Sequence, residues 1–149
     1  MQKLGYVKSA LRSHIMTMLS EKISKLEKFI DFTIEASRDI KKTPKYDSVR
    51  EEAQEEIYQL QKQLGGFYTM QKAMAKVVNT EFEKVQLGSV VITNKARFYI
   101  SVSLGEFFFE GDRFYAISEE SPIAQKMLGM RAGDEFILNK IHQRIEEIL

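Results

Sequence analysis

The chain of 149 residues contains no cysteine, only two prolines and no long hydrophobic run. The absence of cysteine excludes disulfide bonds and thiol chemistry, so nothing indicates an oxidising compartment. No segment approaches the roughly 20 apolar residues of a membrane span, and the first residues lack the apolar core of a signal peptide. We therefore expect a cytoplasmic protein that does not bind a membrane.

Glycine and proline are especially scarce in the first half: the stretch between Tyr6 and Leu64 has no glycine and a single proline, Pro44. Apolar residues there recur at alternating spacings of three and four, which is the pattern of a coiled-coil seam. Two arms carry the pattern, one on each side of Pro44. Their seam positions are Met16, Leu19, Ile23, Leu26, Ile30 and Thr33 in the first arm, and Ala53, Ile57, Leu60, Leu64, Phe67 and Gln71 in the second.

Reflecting the first arm through Thr43 places its seam on the seam of the second arm, with Ile30 opposite Ile57 and Leu26 opposite Leu60. This symmetry predicts a long antiparallel helical hairpin whose tip lies near Thr43. Each arm holds roughly 30 residues, so at about 1.5 Å per residue the hairpin should extend roughly 45 Å.

Two features describe the second helix of this hairpin. Ser48 and Glu51 predict its start, because a serine three residues before a glutamate forms a capping box. Gly65-Gly66 then interrupts it in mid-course, at a cost of roughly 1 kcal/mol per glycine relative to alanine. Because the seam continues beyond the glycines, we expect a bend or a close approach of another segment, with an actual break as the alternative.

Composition changes near Thr80. Residues 1–80 contain 14 Lys/Arg against 10 Asp/Glu, whereas residues 81–149 contain 8 against 11, with five of the eight glycines and nine of the sixteen aromatic residues. Neither half has the concentrated basic face of a nucleic-acid-binding domain, so we expect no sequence-specific binding to nucleic acid. We predict two domains, a coiled-coil hairpin over residues 1–80 and a second domain over residues 81–149.

After Thr80 the hydrophobic period changes to two, which is typical of β-strands. The predicted strands are Leu87–Thr93, Phe98–Leu104, Phe107–Phe109, Arg113–Ser118, Glu135–Leu138 and Ile141–Leu149. The last of these also fits a helical period. A short helix is predicted between the fourth and fifth strands, with Ser121 as N-cap and Pro122 at its first position. The second domain is thus a small antiparallel sheet with one short helix, and the chain is α+β.

One stretch of the second domain carries a resemblance to a known family. Ser118–Gly129 reads Ser-Glu-Glu-Ser-Pro-Ile-Ala-Gln-Lys-Met-Leu-Gly and is followed by Gly133-Asp134. It resembles the signature of the C-terminal domain of the Gre transcript-cleavage factors, in the order strand, Ser-Pro-Ile-Ala helix, Leu-Gly, Gly-Asp, strand. Val85–Val91 resembles the first strand of that domain, and a hairpin precedes it in the same order. The resemblance spans nearly the whole chain and is nearest to the short Gre-like proteins of the Bacteroidetes.

The resemblance implies a C-terminal domain of FKBP-like topology that docks at the rim of the secondary channel of RNA polymerase, while the hairpin inserts into the channel. The docking candidates are Ser121, Pro122, Ile123, Ala124 and Phe108. Phe108 is included because a strand alternates faces, so a run of three phenylalanines cannot be buried on one side.

The resemblance also implies a role for the tip, because cleavage-competent Gre factors carry an acidic pair there that helps to hold the second Mg²⁺ of the polymerase. Here Asp39 matches the first acid, Lys42 stands where the second should be, and Tyr46 and Arg50 match their family counterparts. A lysine at that position would repel Mg²⁺ by several kcal/mol, on the order of a Coulomb energy at an effective dielectric near 20. Asp47 mirrors Asp39 across the tip and is the candidate for a substitute partner, with two ordinary solvated carboxylates as the alternative.

We therefore expect a monomeric, non-enzymatic effector of core RNA polymerase with no cofactor of its own, whose metal contact would be a shared Mg²⁺ reached by Asp39. Lys42 argues against stimulation of transcript cleavage and favours a regulator that occupies the channel and competes with cleavage factors. Two alternatives belong to other classes. One is a coiled-coil adaptor unrelated to polymerase, and the other is a prolyl isomerase suggested by the FKBP-like topology, for which fold alone is a poor warrant.

Overall fold

The computed structural model of the chain describes residues 5–149, which begin with two long helices. Helix α1 spans Lys8–Ser37 and helix α2 spans Asp47–Met74, with 30 and 28 residues. At about 1.5 Å per residue each helix is about 40–45 Å long. A short helix, α3, spans Pro122–Met127 and follows the fourth of six strands.

The start of α2 differs from the prediction. A 3-10 turn, Pro44–Tyr46, leads directly into α2, which begins at Asp47. Ser48 is therefore the second residue of the helix and not its N-cap. Proline suits the first position of the turn because its missing N–H would be unpaired there, and the Tyr46 N–H donates to the Thr43 carbonyl oxygen at 2.9 Å.

Helix α2 continues without interruption through Gly65 and Gly66. A Cβ atom placed on either glycine would meet nothing within 4 Å beyond the local helix backbone. The two glycines are therefore explained neither by a break in α2 nor by another described segment that packs closely against them.

Helices α1 and α2 run antiparallel. Near the tip Arg50 donates to the carbonyl oxygen of Lys41, and farther along the pair the Tyr68 hydroxyl donates to the Glu27 carboxylate at 3.0 Å. Every predicted seam position is buried or half-buried, whereas most residues between these positions are exposed. This pattern of burial is what a seam between two helices requires.

One hydrogen bond and one surface depression between the helices indicate a register about one helical turn away from the predicted one. The predicted register places Leu26 opposite Leu60, which puts Glu27 level with the same turn of α2. The observed partner of Glu27 is Tyr68, two turns farther along, and Leu26 shares a surface depression with Gln63. Helical side chains generally lean toward the N-terminus of their own helix, and such a lean in both residues would account for one of these turns. Because the seam repeats every three or four residues, a slip of one turn again places apolar residues on apolar residues.

The second half of the described chain contains six strands: β1 Val90–Thr93, β2 Arg97–Ile100, β3 Gly105–Phe109, β4 Asp112–Ile117, β5 Glu135–Leu138 and β6 Ile141–Ile148. They form one sheet, in the spatial order β3-β4-β2-β1-β6-β5. All six predicted strands are present, and the ambiguous last segment is a strand. The α+β class is thus confirmed.

The sheet is mixed and not purely antiparallel as predicted, because β2 and β4 pair in parallel, with Phe98 beside Tyr115. The reason lies in the connection after β2. The chain passes to the edge of the sheet as β3 and returns through a tight hairpin as β4, which enters the space beside β2 in the same direction.

Each face of the sheet is covered by a different segment. On one face, Ala124 and Met127 of α3 pack into a buried cluster completed by Val85, Val91, Phe98, Ile100, Phe136, Ile145 and Ile148. On the other face, the ring of His14 in α1 lies 5.4 Å from that of Phe109, and the ring of Tyr6 lies 5.1 Å from that of Phe114. The beginning of α1 therefore belongs to the core of the sheet.

The packing divides the chain into two compact units. The sheet unit consists of the described residues up to Ile15 together with Lys72–Leu149, and the hairpin unit consists of Met16–Gln71. The compositional boundary near Thr80 lies inside the sheet unit, because the ends of both long helices pack with the strands.

Candidate functional site at the hairpin tip

The tip is the connection between α1 and α2. The last turn of α1 tightens into three-residue turns, in which the amides of Arg38, Asp39 and Ile40 donate to carbonyl oxygens three positions back at 3.2–3.3 Å. Thr43 is extended, with φ −114° and ψ 156°, and it initiates the 3-10 turn before α2. Proline at the next position disfavours helical geometry in Thr43, which explains the extended conformation.

Arg50 holds this connection together. Its Nη1 atom donates to the carbonyl oxygen of Lys41 at 2.7 Å and to that of Thr43 at 3.1 Å. Its Nη2 atom pairs with the carboxylate of Asp47, one turn earlier on α2. A planar guanidinium can donate in several directions at once, so one side chain fixes both ends of the turn. The structure thus gives Arg50 a structural role at the tip.

The remaining charges at the tip are largely unpaired. Within residues 5–149, the carboxylate of Asp39 and the ammonium groups of Lys41 and Lys42 have no hydrogen-bond or ion-pair partner, and all three residues are exposed. Arg38 is paired with Glu35 at 2.7 Å. With Asp47 occupied by Arg50, Asp39 is the free carboxylate of the tip.

A divalent metal ion of the protein's own does not fit these residues. Mg²⁺ is bound through carboxylate oxygens and water in near-octahedral geometry, and the tip offers the single free carboxylate of Asp39. Asp47 does not supply the second, because its oxygen accepts from Arg50. Among the described residues no group of three or more His, Asp or Glu side chains is arranged to hold a metal ion.

The predicted tip residues do not all line the same depression. A shallow depression at the tip includes Lys42 and Arg50 but neither Asp39 nor Tyr46. Its lining residues are Ser37, Arg38, Ile40, Lys42, Arg50, Ala53 and Gln54. Tyr46 is half-buried, and the Lys45 ammonium lies 5.7 Å from the centre of its ring, a cation–π contact. The surface beside Arg50 is therefore basic.

The docking candidates lie in the sheet unit and differ in accessibility. Ser121 caps α3, because its hydroxyl accepts from the Ala124 N–H at 3.3 Å. Pro122 is exposed, Ile123 is half-buried, and Ala124 is fully buried in the core beneath them. Phe108 is 55% exposed on the edge strand β3. Pro122 and Phe108 are thus the candidates whose side chains are open to a partner.

Sequence reasoning missed two tyrosine hydroxyl groups of the sheet unit, one half-buried and one fully buried. The Tyr6 hydroxyl donates to the Asp112 carboxylate, and burial followed by this hydrogen bond raises the pKa of Tyr6. The Tyr99 hydroxyl is fully buried without a hydrogen-bond partner among the described residues, and burial raises the pKa of Tyr99 to about 12 while nearby Arg12 opposes the shift. Strand periodicity places Tyr99 on the face opposite Phe98 and Ile100, but no sequence signal shows that this face is also covered.

Within residues 5–149, no helix is both long enough and apolar enough to cross a membrane. No family model matches the chain, and no curated protein matches it. A solved structure described as "Structure of the transcription factor Gfh1" is similar to it, with 21% sequence identity over 97% of this chain and 95% of that chain and a TM-score of 0.31.

Proposed function

We propose that this chain is a Gre-like transcription factor that binds core RNA polymerase and regulates it without being an enzyme. In this proposal the hairpin enters the secondary channel and the sheet unit anchors the protein at the channel rim. The tip is the observation that carries the proposal. Two helices of 30 and 28 residues end in a turn fixed by Arg50, beside the unpaired charges of Asp39 and Lys42.

The charge of the tip favours occupation of the channel over stimulation of cleavage. A single free carboxylate, Asp39, remains where the resemblance expects two, and Lys42 places a positive charge nearby. A cation at that position opposes the binding of a second one by on the order of several kcal/mol at close range. The protein should therefore reduce the activity of a cleavage factor by competing for the same channel.

The proposal is tested by a cleavage assay on a backtracked complex of core polymerase. We expect little or no cleavage with the wild-type protein and a gain with Lys42→Glu, which restores the second acid. Asp39→Ala in that background should abolish the gain. Lys62→Glu is the matched control, because Lys62 is an exposed lysine of α2 remote from the tip and the charge change is the same.

Competition and anchoring need a second measurement. Wild-type protein should slow cleavage by an authentic Gre factor in proportion to its occupancy of polymerase, and Asp39→Ala should compete equally well.

Phe108→Ser should weaken binding to polymerase, whereas Ile137→Ser, which removes an equally exposed side chain from strand β5, should not. Strong cleavage that survives Asp39→Ala, or no binding of the full chain to polymerase, would contradict the proposal and favour the adaptor alternative.

A further inference from the structure

One side of the hairpin unit exposes two phenylalanines. Lys22, Lys25, Phe29 and Phe32 follow one another on α1 at spacings of three and four, so they lie on one face of the helix. Phe29 is 48% exposed and Phe32 is 68% exposed. A surface depression lined by Lys22, Lys25, Leu26, Phe29, Gln63 and Phe67 shows that Gln63 of α2 borders the same face.

The α2 half of this face follows from the same spacing. Glu52, Glu56 and Gln59 precede Gln63 at intervals of four, three and four, so all four residues form one stripe. The opposite side of the hairpin is distinct, because it carries the Tyr68–Glu27 hydrogen bond. We call the first side the phenylalanine face. It consists of Lys22, Lys25, Phe29, Phe32, Glu52, Glu56, Gln59 and Gln63.

Charge along the phenylalanine face is ordered. Lys22 and Lys25 lie on the part of the face farther from the tip, the two phenylalanines lie in the middle, and Glu52 and Glu56 lie toward the tip. Within the described residues, none of these four charged side chains has an ion-pair partner, and all four are exposed. The face is therefore basic at one end, aromatic at its centre and acidic at the other end.

We propose that this face binds the same face of a second copy of the chain. The copies would be related by a two-fold axis, with α1 antiparallel to α1, so that Phe29 packs on the partner's Phe32. That arrangement brings the lysines at one end of the face beside the partner's Glu52 and the partner's Glu56. A parallel arrangement places lysines against lysines, so charge selects the antiparallel one. An interface of this kind is isologous and closes after two copies.

The contact is small, because its apolar centre consists of two phenylalanines from each copy. Stable dimers usually bury about 800 Å² per partner, so this dimer should be weak and reversible. The inference does not depend on the proposed function. If both hold, the dimer covers a side of the hairpin and only the monomer is free to enter a polymerase channel.

Sedimentation equilibrium of the full chain over a range of concentrations tests the dimer. We expect a monomer–dimer equilibrium, with Phe32→Ser weakening association by at least about tenfold, as the loss of a buried aromatic side chain predicts. Tyr58→Ser is the matched control, because Tyr58 is 59% exposed on α2 outside the phenylalanine face and its loss should leave association unchanged. Circular dichroism of each variant checks that the helices remain folded.

Charge reversal tests the orientation of the two copies. One variant carries Lys22→Glu and Lys25→Glu, and the other carries Glu52→Lys and Glu56→Lys. Each variant alone should dimerise more weakly than the wild type because like charges then face each other. An equimolar mixture should form a heterodimer, since every contact in it pairs opposite charges. A chain that stays monomeric at all concentrations, a dimer lost equally with Tyr58→Ser, or variants that do not complement each other would overturn the proposal.

Discussion

Arg50 Nη1 lies 2.7 Å from the carbonyl oxygen of Lys41, and this hydrogen bond joins the first turn of α2 to the segment that follows α1. The same nitrogen reaches the carbonyl oxygen of Thr43. Lys41 and Lys42 lie outside any helix or turn. Arg50 is therefore the side chain that ties this irregular segment to α2.

Replacement of Arg50 by glutamine should loosen the tip. Hydrogen bonds from a charged donor contribute about 1.5–3 kcal/mol, so the amides of residues 38–46 should exchange faster in the variant. Hydrogen exchange followed by mass spectrometry measures this effect. Asp47→Asn serves as the control, because it removes only an ion pair at the surface, worth about 0–1 kcal/mol. Equal effects of the two substitutions would show that the backbone contacts of Arg50 matter little.

Substitution of Gly65 or Gly66 by alanine should stabilise the protein. Both glycines lie in the interior of α2, and an added Cβ atom meets nothing outside the local helix. Alanine is favoured over glycine in a helix by about 1 kcal/mol, so urea denaturation should show a gain of about that size for each site. A loss of stability would mean that the glycines serve a bound partner or a bent state.

Tyr99→Phe should leave the stability at pH 7 unchanged or raise it by about 1 kcal/mol. The Tyr99 hydroxyl is buried without a partner among the described residues, and an unpaired buried polar group costs roughly 1–3 kcal/mol. Chemical denaturation of the two proteins at pH 7 provides the comparison. A marked loss of stability would indicate a buried water molecule hydrogen-bonded to the phenol.

The same residue should make the fold sensitive to high pH. Burial raises the pKa of Tyr99 to about 12 in the folded protein, whereas an unfolded tyrosine titrates near about 10. Between these values the unfolded chain binds fewer protons than the folded one, so the contribution of Tyr99 to stability is complete below about pH 10 and is lost as pH rises toward 12. Denaturation at several pH values should show a steeper alkaline decline for the wild type than for Tyr99→Phe.

A fragment of residues 81–149 should fold poorly. His14 and Tyr6 cover the rings of Phe109 and Phe114, so the fragment exposes one face of the sheet. A second fragment, in which a short flexible linker replaces residues 16–71, retains both helix ends and should unfold cooperatively. Near-ultraviolet circular dichroism during thermal unfolding separates the two outcomes. Equal stability of both fragments would show that the helix ends are dispensable for the sheet.

The seam shows how far the sequence determines the hairpin. The spacing of residues such as Ile23, Leu26 and Ile30 predicts which positions are protected, because burial of an apolar stripe depends only on the helical period. The spacing does not determine which turn of α1 lies opposite which turn of α2, because a shift of one turn again places apolar residues opposite apolar residues. The observed register is marked by polar contacts such as Tyr68 with Glu27, which hydrophobic periodicity does not describe.

The sheet shows a second limit of sequence reasoning. The alternation from Arg113 to Ser118 predicts a strand but does not predict which strands lie beside it. It therefore could not predict the parallel pairing of β2 with β4. At the tip, the resemblance identified Arg50 as a position of interest. The hydrogen bonds of Arg50 go to the backbone carbonyl groups of Lys41 and Thr43, and a sequence does not show which backbone groups a side chain reaches.

The hairpin unit begins and ends within the sheet unit, because residues before Met16 and after Gln71 both pack with the strands. Its two ends are therefore held together whatever its length, and the entropy of closing the loop changes only slowly with the number of residues. Removal of one heptad from each helix would preserve the seam and shorten the helices by about 10 Å. The length of the hairpin is thus adjustable in steps of one heptad, and such a change leaves every residue of the sheet unit in place in the sequence.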